Sequence, residues 1–120
     1  MRPPPAVPAE LSPIADLIGR EALLRLIETH GGTRLFIPER PVEGSVLTGA
    51  VGLPAALALS SRMAGTYLKV PLARAWRAAI LRHYGATNPQ IARALGVTEG
   101  AIERMLRPAP RSAQAELFSP

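Results

Sequence analysis

Along residues 88 to 107, NPQIARALGVTEGAIERMLR, the apolar and small positions fall where two short helices joined by a tight turn need them. Ala92 and Gly96 are four residues apart, Gly96 and Ile102 six, Ile102 and Met105 three. That spacing puts Ile91, Leu95, Val97, Ile102 and Met105 on facing sides of the two helices, with Ala92 at the close crossing and Gly96 opening the turn. The pattern predicts a helix-turn-helix. A preceding amphipathic helix is expected from Pro71 to about Tyr84, with Leu72, Trp76, Ala79, Ile80 and His83 along its inner stripe and Arg74, Arg77 and Arg82 facing away. Trp76 and Tyr84 read as core members of that helix. Gly85 ends it, Thr87 or Asn88 caps the next helix, Pro89 suits its first turn, and Gln90 can complete a capping box from Thr87.

The front half repeats itself. LIGREALLRLIETHGGTRLFIP (17 to 38) aligns without gaps on AVGLPAALALSSRMAGTYLKVP (50 to 71), an offset of 33 residues. Each copy predicts a helix, a glycine cap and a short strand closed by proline. Thr33, Leu35 and Ile37 alternate with Arg34 and Phe36, as Thr66, Leu68 and Val70 do with Tyr67 and Lys69, so each strand has one apolar face. The two strands can pair within a chain or across a dimer. Ser12 is a cap candidate ahead of Pro13, Gly19 can break the helix there, and Pro54 opens a helix from Ala55 to Met63 that is apolar almost all round and expected to be central to the core or to a subunit interface. Pro41 to Gly49 reads as a loop.

The expected fold is therefore mainly α with short β-strands. It comprises an extended proline-rich arm outside the core (1–11), a duplicated helix-strand dimerisation region (12–70), a three-helix DNA-binding unit (71–107) and a flexible tail (108–120) in which two prolines stop the last helix.

Charge sharpens this division. Residues 1–61 hold five basic and six acidic side chains, whereas residues 62–111 hold nine basic and only Glu99 and Glu103, a local balance of +7 within a chain of +5. A cationic field on the helix-turn-helix segment is what phosphate binding requires. The bland alternative is a soluble surface in a chain that uses Arg thirteen times and Lys once. No cysteine is present, which excludes disulfides and thiolate metal sites. The apolar run Ala50 to Leu59 is too short to span a bilayer, so a cytoplasmic protein without membrane contact is expected.

In a docked helix-turn-helix the start of the last helix faces the base edges. Base-contact candidates are Thr98, Glu99, Gly100, Glu103 and Arg104, with Arg104 suited to guanine, either glutamate to the cytosine amine, and Gly100 permitting close approach. Glu99 can equally serve the helix dipole and Glu103 pair with Arg107. Phosphate contacts are expected from Arg74, Arg77, Arg82, Asn88, Gln90, Arg93 and Arg107. His30 and His83 have no partner at ligand spacing, the glycines of the GGT at 31 to 33 follow a helix and lack GK[ST], and no nucleophile sits beside a base. No metal, cofactor or catalysis is expected.

The order helix, GG-T-x-L-[hydrophobic]-I-P, helix, glycine, helix-turn-helix resembles the Mor/C family of phage middle and late transcription activators. Gly31 to Pro38, or Ala64 to Pro71 next to the DNA unit, carry the likeness with Arg77, Ile80, Tyr84, Gly85 and the IARALGVTEGAIERML run, over roughly residues 14 to 107. The resemblance implies a homodimer reading an inverted repeat and touching bacterial RNA polymerase. The helix-strand motif occurs twice here where one copy is expected, which implies a dimer arrangement that is altered or is mimicked within one chain. The leading expectation is a sequence-specific regulator of double-stranded DNA. The other is a phage interaction or assembly protein that oligomerises through the repeat and uses the helix-turn-helix for protein contacts.

Overall fold

The computed structural model describes residues 2–107. The protein is mainly helical with one small sheet: a 3₁₀ turn at Ala9–Leu11, then α1 (Ser12–Ile18), α2 (Arg20–His30), β1 (Arg34–Phe36), α3 (Val46–Val51), α4 (Leu53–Met63), β2 (Tyr67–Lys69), α5 (Arg74–His83), α6 (Asn88–Leu95) and α7 (Glu99–Leu106). Among the described residues one compact unit spans 5–76 and a second takes in 77–107 with residues 2–4. The expected tail, with the prolines that were to stop the last helix, lies outside the described residues.

In the first unit β1 and β2 form an antiparallel ribbon within the chain, with Arg34 opposite Lys69, Leu35 opposite Leu68 and Phe36 opposite Tyr67. Alternation sends Leu35, Ile37 and Val70 inward. They are buried, as are Leu23, Leu26 and Ile27 of α2, Leu47 and Val51 of α3 and Leu59 of α4. Gly19 and Gly52 separate the helices of each copy with almost the same backbone, φ 88° and ψ 158° against φ 88° and ψ 157°. Only glycine occupies that region readily, which explains a clean break between two helices without a connecting loop.

Four expectations for this unit change. The arm is not wholly extended or outside the core: the Leu11 N–H donates to the Pro8 carbonyl, Leu11 is buried, and Arg20 Nη1 donates to the Pro5 carbonyl at 2.6 Å. Ser12 is the first residue of α1, not its cap, because the 3₁₀ turn runs straight into the helix and leaves no extended residue there. The connector is helical from Val46 on: Ser45 accepts from the Thr48 N–H and supplies the cap that overrides Gly49. Finally, α4 buries only Ala55, Ala56 and Leu59, while Leu57 stays half exposed. Alanine and serine elsewhere on this helix make little demand for burial.

In the second unit Ala78, Ile91, Ala92 and Ile102 form a closed core, with Leu81, Ala86, Leu95, Val97, Met105 and Leu106 packed against it. The contacts expected of Ile91, Leu95, Val97, Ile102 and Met105 are made. The stripe on α5 differs: Trp76 and Ala78 are its buried positions, and Leu72 precedes the helix, packed over Gly32 and 40% exposed. Ala78 is the residue through which α5 joins that buried cluster. Tyr84, expected inside, is 75% exposed and meets His83 edge to face.

Candidate nucleic-acid interface

Two caps and one left-handed residue set the geometry of α6 and α7. Thr87 caps α6: its hydroxyl accepts from the Gln90 N–H, and its own N–H donates to Gln90 Oε1 at 2.8 Å, a reciprocal capping box. Pro89 sits in the first turn, where its missing N–H costs nothing. At the other end Gly96 adopts φ 69° and ψ 36°, and the N–H groups of Gly96 and Val97 both donate to the Ala92 carbonyl. This left-handed residue turns the chain sharply while satisfying helix-end carbonyls. One residue later Thr98 caps α7, accepting from the Ala101 N–H at 3.1 Å.

The caps determine which side chains α7 shows to solvent. Ile102 is fully buried and fixes the inner face. Thr98, Glu99, Glu103 and Arg104 are exposed, and Gly100 is half-buried, so the five base-contact candidates lie together at the start and along the outer side of one helix. Arg104 lies over Gly100: its Nη1 is 3.6 Å from the point a Cβ on Gly100 would occupy. Glu99 occupies the first turn, where its charge also suits the helix dipole.

The phosphate candidates divide. Arg74, Arg82, Arg93 and Arg107 are exposed and Arg77 is partly so. Arg82 donates through Nε to the Ala86 carbonyl at 3.2 Å, which holds its guanidinium beside the turn and leaves the terminal nitrogens unspent. Gln90 is exposed but commits Oε1 to the capping box, so only its amide nitrogen remains for a phosphate. Asn88 is the first residue of α6, and its Oδ1 is buried without a hydrogen-bond partner. That oxygen has nothing to offer an anion, but the side-chain amide nitrogen Nδ2 is a donor that can meet one.

A second exposed cluster received no role from the sequence. On the outer face of the ribbon, Phe36 and Tyr67 meet edge to face with centroids 5.3 Å apart, and the Arg34 guanidinium lies 5.4 Å from the Tyr67 ring centre. With Lys69 opposite Arg34, the ribbon presents two aromatic rings flanked by two cations. Aromatic and basic residues alternating on the side of each strand away from the core were the signal for it.

Among the described residues no helix is long and apolar enough to cross a membrane. No protein-family model matches the chain, and no significant similarity was found to a curated protein or a solved structure.

Proposed function

We propose that the protein is a sequence-specific regulator that binds double-stranded DNA, of phage or prophage type and without catalysis, with α7 seated in the major groove. The observation that carries this reading is the capped, sharply turned α6–α7 pair, whose inner face is locked by Ile91, Ala92 and Ile102 while Thr98, Glu99, Glu103 and Arg104 stay free outside. It lies in the segment that holds the chain's positive charge. In this reading Arg104 donates to a guanine edge, Glu99 or Glu103 accepts from cytosine, and Arg93, Arg107, Arg82, Arg77 and Arg74 hold the phosphates. Gln90 and Asn88 each contribute a side-chain amide nitrogen. The likeness to the Mor/C family adds activation and a touch on RNA polymerase to the proposal. It also implies two chains on an inverted repeat, whereas the strand pairing that would join them is satisfied here within one chain.

Selection of bound duplexes from a random pool, followed by titration at several salt concentrations, tests the reading. Binding through five or six phosphates should fall on the order of a thousandfold between 50 and 200 mM salt. Arg104→Ala should relax preference at one base pair at a cost of about 1–3 kcal/mol. Association that ignores salt, or an Arg104→Ala variant with unchanged preference, would favour the protein-assembly reading instead.

A further inference from the structure

We infer that this chain carries its own dyad: the duplicated motif closes a two-fold interface inside a single polypeptide, and the protein reads DNA as one chain on one asymmetric half-site. The ribbon register shows the symmetry. With an offset of 33, Leu68 is the counterpart of Leu35, Tyr67 of Arg34 and Lys69 of Phe36. The observed pairs are Leu35 with Leu68, Arg34 with Lys69 and Phe36 with Tyr67. Exchanging every residue for its counterpart turns the pair Arg34–Lys69 into Tyr67–Phe36 and returns Leu35–Leu68 to itself, as in an isologous contact between two identical surfaces.

Flanking hydrogen bonds obey the same rule. The Gly32 N–H donates to the Val70 carbonyl at 2.8 Å and the Gly65 N–H to the Ile37 carbonyl at 2.7 Å. Likewise the Ile37 N–H donates to Thr66 at 2.9 Å and the Val70 N–H to Thr33 at 2.8 Å. Among the helices, α1 packs on α4 and α2 on α3, and α3 and α4 are the second-copy equivalents of α1 and α2. The symmetry surfaces again in a shallow cleft lined by the counterpart pairs Ile18 and Val51, Gly19 and Gly52, and Ala22 and Ala55.

Only the second copy leads into a helix-turn-helix. After β1 the chain passes through a short connector into α3, whereas after β2 it goes on to α5, α6 and α7. A dyad between two chains brings two reading helices to DNA, but a dyad within one chain brings one. Nor does the ribbon's outer face invite a second copy. Stacking two such faces would oppose Arg34 and Lys69 with their own like, and strands of three residues leave little edge to extend.

The inference rests on the DNA-binding reading, and two measurements separate their fates. The chain has no cysteine, so the variant Phe36→Cys/Tyr67→Cys offers one possible pair. These residues alternate with the hydrogen-bonded pairs, which places their Cα atoms about 4.5 Å apart, within disulfide range. Mild oxidation of the full-length variant should give an intrachain link at the mass of one chain, and light scattering of the unaltered protein should return 12.8 kDa. A predominant two-chain cross-link, absent from the single-cysteine controls, overturns the closed dyad. In the second measurement, a selected duplex is compared with one joining two such sites as an inverted repeat. Affinity per site should change by no more than about twofold, whereas a gain of a hundredfold or more signals bivalent binding and overturns the single-chain mode. Failure to bind any duplex removes the half-site claim together with the reading beneath it, and leaves the cross-link to decide the dyad alone.

Discussion

Leu35 lies across the ribbon from Leu68, the residue that holds its own place in the second copy, yet the two are not buried alike. Leu35 is inside the core and Leu68 is only partly covered. The symmetric backbone has unequal sides: α3 buries Leu47, Thr48, Ala50 and Val51, while its equivalent α1 buries no residue. Truncation should expose that inequality. Leu35→Ala should cost about 2–4 kcal/mol, in line with buried leucines that leave a partly collapsed cavity, and Leu68→Ala about half as much. Urea titration of the two variants checks the order, and equal losses would mean that the sides are equivalently packed.

The two helix breaks make a second test, because their cost lies in the backbone alone. No atom lies within 4 Å of a Cβ built on Gly19, and only Arg25 and Pro54 atoms stand near 4.0 Å at Gly52. Alanine therefore has room at both positions but not the conformation, and Gly19→Ala and Gly52→Ala should each destabilise by about 1–3 kcal/mol. Gly49, also in open space, sits inside α3 without a positive φ. Gly49→Ala should be neutral or stabilise by up to about 1 kcal/mol. Thermal melts that fail to separate Gly49→Ala from the other two would contradict this account.

How much of this was legible beforehand follows from where the information sits. The α6–α7 pair is coded locally, in Thr87, Gln90, Gly96, Thr98 and the apolar spacing, and each of those residues does what its neighbours imply. The strand alternation was equally readable. That the strands close on each other was not, since a 33-residue repeat fits pairing within or between chains equally well. Helix α3 was hidden because Gly49 and the nearby proline and glycine outweigh one serine in a local reading. Extending the repeat upstream to pair Ser45 with Ser12 would have revealed it. Tyr84 misled because an aromatic at helical spacing suggests burial, but α5 ends one residue earlier, at His83. Gln90 carried two assignments, cap and phosphate ligand, and one amide side chain divides between them.

The capping residues can be weighed against each other. Thr87 joins a reciprocal box with Gln90, whereas Thr98 accepts a single hydrogen bond from Ala101. Thr87→Ala should cost about 1–2 kcal/mol, and Thr98→Ala about 1 kcal/mol or less. Gln90→Ala in the Thr87→Ala background should add less than it does alone, because the two side chains serve the same helix end. A double-mutant cycle by chemical denaturation reads that coupling, and strict additivity would show that the box is not cooperative.

Gly100 separates stability from recognition. It lies within α7, where glycine is a poorer helix former than alanine by about 1 kcal/mol. A Cβ there meets only Arg104 Nη1 at 3.6 Å and Thr98 Oγ1 at 4.0 Å, ordinary contacts. Gly100→Ala should therefore raise the melting temperature or leave it unchanged. The added methyl stands between two proposed base-contacting residues, Thr98 and Arg104, where it would crowd a groove wall. Duplex affinity should fall by tenfold or more, equivalent to about 1.4 kcal/mol or more, while the fold gains. Melting and titration on the same preparation decide the matter. Unchanged affinity in a stabilised protein would mean that this side of α7 does not approach DNA closely.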